Sequence, residues 1–465
     1  MIFSGIPFLY YFLPLTLALY AVCPKQLKNG ALLFCSLIFY GWGEPRYVLL
    51  MCGLILLCYG LGLLVERYRA AVWGRISCAA SIVLCLSFLV YFKYADFFLE
   101  NINAVTGLHI PPVHAVLPIG ISFYTFQLIS YSVDVYRGET AQKNVLQLAV
   151  YIAMFPQLIA GPIVRYHDIR GQLTCRVHGW DGAASGIRRF VSGLAKKVLL
   201  ANQLGELCGA FRASGEKSVL FCWLYAAALA LQIYFDFSGY SDMAIGLGRV
   251  LGFTFPENFD HPFIAASMTE FWRRWHISLG TWFRDYVYIP LGGSRRGRLR
   301  HMLCILTVWL LTGLWHGAAW NYLVWGLYFA LLLMLEKRWL LKWLEKSRAL
   351  AHVYVLVLLL ASFVIFDAAD MGAAVSVIGG MLGAAGMPLI SGEAVYCLRS
   401  FAVILLIGVA GATPLGSLII RKISKDPTGR RLLCVLEPVV LPVLMLVITA
   451  YLVDGSFNPF LYFRF

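Results

Sequence analysis

The sequence predicts an all-α polytopic membrane protein, and three observations predict it. The chain is 60% apolar and only 13% charged over 465 residues, too few charges to cover a soluble protein of that size. Nearly uncharged runs recur from end to end, and most approach the ~20 residues that carry a helix across ~30 Å of hydrocarbon. The ~10-residue alternating segments of a membrane barrel do not occur in it. These features imply about 11 transmembrane helices with re-entrant or amphipathic helices beside them. No stretch between the runs has room for a soluble domain, so 1–465 reads as a single membrane-embedded domain.

In chain order the candidate spans are 6–22, 31–41, 47–64, 76–92, 115–133, 145–160, 187–202, 218–237, 302–335, 352–367, 400–420 and 432–452. The first apolar run starts at Ile2 without a basic segment before it and reaches Val22 without a small-x-small cleavage site. It reads as a retained span rather than a cleaved signal peptide. The second is short and suits a tilted or partial crossing. The run 302–335 contains no Asp, Glu, Lys or Arg; it is too long for one upright helix and too short for two full spans with a loop. It fits a long tilted helix or a broken pair, with Gly313 and Gly317 suited to close packing or a break.

Loop charges orient the spans. The basic loops "VERYRAAVWGR" (65–75) and "RKISKDPTGRR" (421–431) read as cytoplasmic. The loop 93–114 and "DAADMG" (367–372) then lie outside, as does the tail "DGSFNPFLYFRF". The Gly-rich stretch 373–390 is placed as an outer surface helix, because a crossing there would put 421–431 on the wrong face. The expected location is the inner or plasma membrane with an outside C-terminus. The net charge of +14 follows from the same loops and does not point to nucleic acid. The twelve cysteines are scattered without a C-x-x-C pair and read as small packing residues. With no H-E-x-x-H or H-x-x-x-H pair, no metal site is expected.

Residues 239–301 form a segment of another kind. Their beginning, "GYSDMAIGLGRVLGFTFPENFDHPF", is too polar and too rich in Gly and Pro to span. In "FWRRWHISLGTWFRDYVYIPLGGSRRGRLRH", Arg273, Arg274, Arg284, Arg295, Arg296, Arg298 and Arg300 face a single acid, Asp285. With Trp272, Trp275, Trp282, Tyr286 and Tyr288 as interfacial anchors, this reads as a cytoplasmic-face or re-entrant segment.

His316, in "LWHGAAWNYLVWG", is the first candidate for chemistry. A neutral imidazole is the least costly titratable group to hold in a bilayer, and it can take and return a proton near neutral pH. A hydrogen bond to a neighbouring helix is the structural alternative. Trp315 and Asn321 lie within reach on the same run and can contact a substrate. His276, among cations that depress its basicity, is the second candidate, with a lipid-facing interfacial role as its alternative. Asp236, in "QIYFDFSGYSD", needs a partner. Pairing with the arginines of 273–284 is preferred over contact with substrate. Arg273 and Arg274 suit phosphates, whether of a coenzyme A thioester or of membrane lipids.

"DFSGYSDMAIGLGRVLGFTFPENFDHPF", "FWRRWHISLGTWFRDYVYIPLGG", "LWHGAAWNYLVWG" and the terminal "FNPFLYFRF" resemble the membrane-bound O-acyltransferase (MBOAT) family. The likeness runs from "FSGIPFLYYFLPL" (3–15) through "LPIGISFYTFQLISYSVDVYRG" (117–138) and "FPQLIAGPIVRY" (155–166) to the last residue. It is nearest to the bacterial alginate and peptidoglycan O-acetyltransferase branch. The teichoic acid D-alanyl branch is less similar, since "YIPLGG" is followed by "SRRG".

The resemblance implies tilted helices around a central funnel or tunnel. His316 would be the signature histidine and His276 the histidine of "RRWH". Acetyl-CoA is the implied cytoplasmic donor, as a substrate rather than a bound cofactor. The implied partner is an extracytoplasmic SGNH-hydrolase-like acyltransferase that modifies an exported polysaccharide. That the chain stops after its last span is a further reason to expect such a partner. Asp367 departs from the family, which usually shows Arg after the Phe. His316 as general base and His316 as acyl carrier both stay open. Two rivals remain: a transporter with His316 as proton relay, for which the runs show no inverted repeat, and a non-catalytic scaffold.

Overall fold

The computed structural model describes residues 2–455, and every regular element within them is a helix. Among the described residues, six helices are long and apolar enough to cross a membrane: Pro45–Arg67, Val72–Thr106, Val219–Val250, Arg348–Asp367, Gly392–Gly411 and Pro427–Asp454. The protein is a multi-pass membrane protein. Phe8–Val22 and Met371–Met381 are shorter apolar helices. The latter occupies the stretch expected to form a surface helix, and its 11 residues are too few to cross. The terminal "FNPFLYFRF" and the tail after Gly455 lie outside the described residues. All twelve cysteines are free thiols.

The chain divides into two compact units, Met1–Phe190 with Ser241–Glu257 and Val191–Tyr240 with Asn258–Phe465. In the first, Pro45–Arg67, Val72–Thr106 and Ile121–Arg137 pack together. Gly62 admits the Tyr131 side chain, whose hydroxyl would lie 2.4 Å and whose ring 2.5 Å from a Cβ at that position. Ser81 and Ser132 satisfy each other between Val72–Thr106 and Ile121–Arg137 at 2.6 Å. The expected span 145–160 is broken instead. Val145–Ala153 is a nine-residue helix, about 14 Å long at the helical rise. It stops at Met154, before the turn Phe155–Leu158 that Pro156 opens, since proline cannot donate into a continuing helix.

Two further segments differ from their sequence pattern. Val219–Val250 runs on as helix through 239–250, where the polar, Gly-rich composition argued against it. The polar groups there are matched: Asp242 pairs with Arg189 at 2.9 Å. The glycines there are contact points, as a Cβ at Gly246 would lie 2.5 Å from the Gly186 carbonyl oxygen. In the second unit, the run 302–335 is a broken pair, Arg298–His316 and Trp320–Leu335. A Cβ on Gly313 would sit 2.3 Å from the Tyr322 carbonyl oxygen, and one on Gly326 would sit 2.4 Å from that of Trp309. A Cβ on Gly317 would meet the Tyr322 ring at 2.2 Å. These glycines let the two backbones touch, as small residues do between membrane helices.

Gly313→Val should therefore separate the hairpin, at a cost of about 1–3 kcal/mol or more, and lower the melting temperature of the detergent-solubilised protein. Gly53→Ala, where nothing lies within 4 Å of the added Cβ, should leave it unchanged.

Candidate active site

The site is assembled in the second unit from two short helices and the hairpin. Met268–Arg274 begins at Ser267, whose hydroxyl accepts from the Glu270 N–H at 3.0 Å. Its first turn is also held by the buried Glu336 carboxylate, which accepts from the N–H groups of Met268 (2.6 Å) and Thr269 (2.9 Å) and from the Thr269 hydroxyl (2.7 Å). An anion at a helix N-terminus takes up N–H groups that have no partner inside the helix. After Trp275 the chain reverses at His276, which has φ +46° and ψ 52°, and continues as Ile277–Phe283. A non-glycine residue in this left-handed region costs roughly 1–2 kcal/mol. Backbone bonds from Ile277 N to Asn258 O (3.0 Å) and from Asp260 N to Arg274 O (2.9 Å) hold the reversal.

His276 is 2% exposed. Its Nδ1 lies 3.1 Å from Asn258 Oδ1, and the Phe237 ring packs edge-on at 4.6 Å. Burial pushes its basicity far below the usual histidine value, to about 3. The ring is therefore neutral at physiological pH, through loss of solvent rather than through neighbouring cations. His316 is 4% exposed and ends its helix. The rings of Trp315, Trp325 and Phe366 surround it at 5.0, 5.1 and 5.1 Å. Trp315 also lies 5.8 Å from the His276 ring, so a single indole connects the two histidines.

A cavity of about 570 Å³ opens beside them, with Trp272, Arg273, His276, Arg284, Thr312 and Lys337 in its wall. His316 is not in that wall; the cavity meets its helix at Thr312, one turn short. Lys337 is held below its usual basicity by burial first and by the Arg273 charge second. Arg284 shares its guanidinium with Asp285 at 2.8 Å. No carboxylate among the described residues forms an ion pair with Arg273. Arg273 and Lys337 thus bring positive charge to the cavity beside the Arg284–Asp285 pair.

The other predicted residues go elsewhere. Arg274 is turned from the cavity and bound by Asp260 (3.0 Å) and Glu270 (2.9 Å). Asp236 is paired with Lys197 at 2.6 Å, both buried, where the sequence pattern pointed to the arginines of 273–284. Asn321 donates through Nδ2 to the carbonyls of Ile365, Phe366 and Ala368 at 3.5, 3.4 and 3.1 Å. It caps the helix Arg348–Asp367 and so holds Phe366 against His316. Asp367 accepts from the Tyr225 hydroxyl at 2.7 Å and pairs with Arg212. Lys337, Asn258, Glu336 and Lys197 escaped sequence reasoning. Of these Glu336 and Lys337, standing just after the uncharged run 302–335, carried a usable signal. No group of three His, Cys, Asp or Glu among the described residues can hold a metal ion.

The sequence profile of the membrane-bound O-acyltransferase family matches residues 139–366, a stretch that holds both histidines and all three cavity cations. The chain is 42% identical to a probable alginate O-acetylase of Azotobacter vinelandii, over 80% of this chain and 76% of that one. It is 44% identical to a probable alginate O-acetylase of Pseudomonas aeruginosa, over 72% and 66%. It is 31% identical to a peptidoglycan O-acetyltransferase of Helicobacter pylori, over 84% and 81%.

Removing one member of the buried Lys197–Asp236 pair leaves the other charge uncompensated. Lys197→Met or Asp236→Leu should each destabilise the protein by about 3–5 kcal/mol, while the double variant recovers most of that. Thermal melts of the three variants check this.

Proposed function

The chain belongs to the membrane-bound O-acyltransferase family and is an integral-membrane O-acyltransferase, and we propose that it takes an acetyl group from a cytoplasmic thioester for O-acetylation of an exported cell-envelope polysaccharide. The observation that carries this reading is the cavity ringed by Arg273, Arg284 and Lys337 with His276 in its wall, one indole away from His316. Its volume falls in the range of small-molecule sites, about 300–1,000 Å³. Acetyl-CoA is the donor that suits it. Guanidinium and ammonium groups take the phosphates, and the acyl end lies towards the histidines. The donor is a substrate, and no cofactor stays bound.

In this reading His316 takes the proton of an acceptor hydroxyl. The hydroxyl oxygen attacks the thioester carbonyl, so a C–O bond forms as the C–S bond breaks, and the departing thiolate receives the proton. If His316 carries the acyl group instead, its ring nitrogen is acylated first and the hydroxyl attacks that intermediate. The acceptor is the polysaccharide or, as an intermediate station, an extracytoplasmic SGNH-hydrolase-like partner. The protein would sit in the plasma or inner membrane with its C-terminus outside.

His316→Ala should lower acetylation by ~10²–10⁴ while the protein stays inserted, read by mass analysis of envelope polysaccharide from a complemented deletion strain. Full complementation would leave only the scaffold reading, and released D-alanine in place of acetate would name the other branch. Arg273→Ala and Lys337→Ala should raise KM for acetyl-CoA with little change in kcat, since they remove binding shared by ground and transition states. Initial-rate kinetics in proteoliposomes test this; a fall in kcat alone would remove the phosphate role.

A further inference from the structure

We infer that Asn258 is a positioning residue that holds His276 as its Nδ1–H tautomer, leaving Nε2 as a lone-pair acceptor in the wall of the cavity. The inference rests on the proposed function for the identity of the ligand, though not for the tautomer.

Asn258 is 1% exposed, and its side-chain orientation is fixed by what surrounds it. The backbone N–H of Ser278 lies 3.3 Å from Oδ1 and the Ser278 hydroxyl 2.9 Å from the same atom. A backbone amide can only donate, so the asparagine atom that faces it is the carbonyl oxygen and not the NH₂ group. That oxygen is also the atom 3.1 Å from His276 Nδ1. It has no proton to give, so the proton of this contact belongs to Nδ1. A neutral imidazole carries one proton, and with that proton on Nδ1, Nε2 is bare.

Nε2 is buried and has no hydrogen-bond partner among the described residues. A buried polar atom left in this way is unfavourable. The same residue has left-handed backbone at φ +46°, a second local cost at one position. Both costs fall on a residue in the cavity wall, where a ligand can supply the missing partner. The surroundings do not supply a counter-charge. Phe237 and Trp315 pack against the ring, Asp236 beside Phe237 is neutralised by Lys197, and Arg273 and Arg284 share the cavity.

This assigns a direction to His276. A bare Nε2 cannot donate to a thioester carbonyl, so the residue does not polarise the donor. It accepts a hydrogen bond from an O–H, N–H or S–H group of the bound substrate. If the proton transfers, it leaves that group as an anion and makes an imidazolium whose Nδ1–H stays on Asn258.

The test uses the full chain in lipid nanodiscs with nitrogen-15-labelled histidine, the His276 signals being assigned by their loss in His276→Gln. The expected wild-type spectrum is the Nδ1–H tautomer. Asn258→Leu should populate the Nε2–H form and lower kcat by roughly 10- to 100-fold, as loss of an orienting partner does, with KM for acetyl-CoA unchanged. Asn258→Asp keeps an acceptor at Nδ1 and should recover much of the rate. Its carboxylate stabilises the imidazolium, so the acid limb of kcat against pH should move to higher pH. An Nε2–H tautomer in the wild type would overturn the inference, and so would Asn258→Leu with unchanged kcat or unchanged tautomer. If the chain transferred no acetyl group, the proposed function would fail, while the spectra would still decide the tautomer. Should Asn258→Leu not fold, the wild-type and Asn258→Asp spectra decide alone.

Discussion

Glu336 holds the site together. Its buried carboxylate stands at the end of the hairpin that carries His316 and accepts the first N–H groups of the helix that leads to His276. Glu336 and Met268 are buried from water that could replace those bonds, so the contact fixes where the short helix starts. From that start follow the positions of Trp272 and Arg273 in the cavity wall and of the reversal at His276. Lys337, the next residue along, faces the same cavity. One acid thus ties the two halves of the site to a common origin.

The cavity ends at His276 and Thr312, and aromatic rings close the way to His316. Trp315, Trp325 and Phe366 meet the imidazole tilted or edge-on, and Asn321 keeps Phe366 in place by capping its helix. Such a wall excludes water, which strengthens any charge interaction inside it. It also holds polar atoms with no partner among the described residues: the indole nitrogens of Trp272 and Trp325 and the Nε2 of His276.

The fold was legible wherever composition alone decides it. The apolar spans appear in the sequence because a bilayer admits little else, and the run 302–335 was visibly too long for one upright helix, which left a long tilted helix or a broken pair open. Of the misread segments, one was decided by a contact between distant residues and the other by a single proline. The polar stretch 239–250 stays helical because Asp242 finds Arg189, 53 positions away. The run 145–160 breaks because of Pro156, despite its continuous apolarity. Among the site residues, Arg273 and Arg274 are indistinguishable in sequence. The structure separates them by the acids Asp260 and Glu270, which occupy one and leave the other. Asn321 read as a substrate contact, since its three carbonyl partners lie more than 40 positions further on.

Four charged residues of the second unit share a backbone feature. Lys197 lies in the π-helical turn Lys196–Ala201, Arg284 in Arg284–Tyr288, and Glu336 with Lys337 in Glu336–Leu340. A π-turn inserts a residue into the helical period and rotates the following side chains off the stripe that periodicity would assign them. A wheel drawn at 3.6 residues per turn therefore assigns these side chains to the wrong face. The deviation costs local hydrogen-bond geometry, and it recurs in the second unit at residues that hold or ring the cavity. With the left-handed His276, the turns at Arg284 and Glu336 make three breaches of local preference around one cavity, as strained backbone gathers at functional sites.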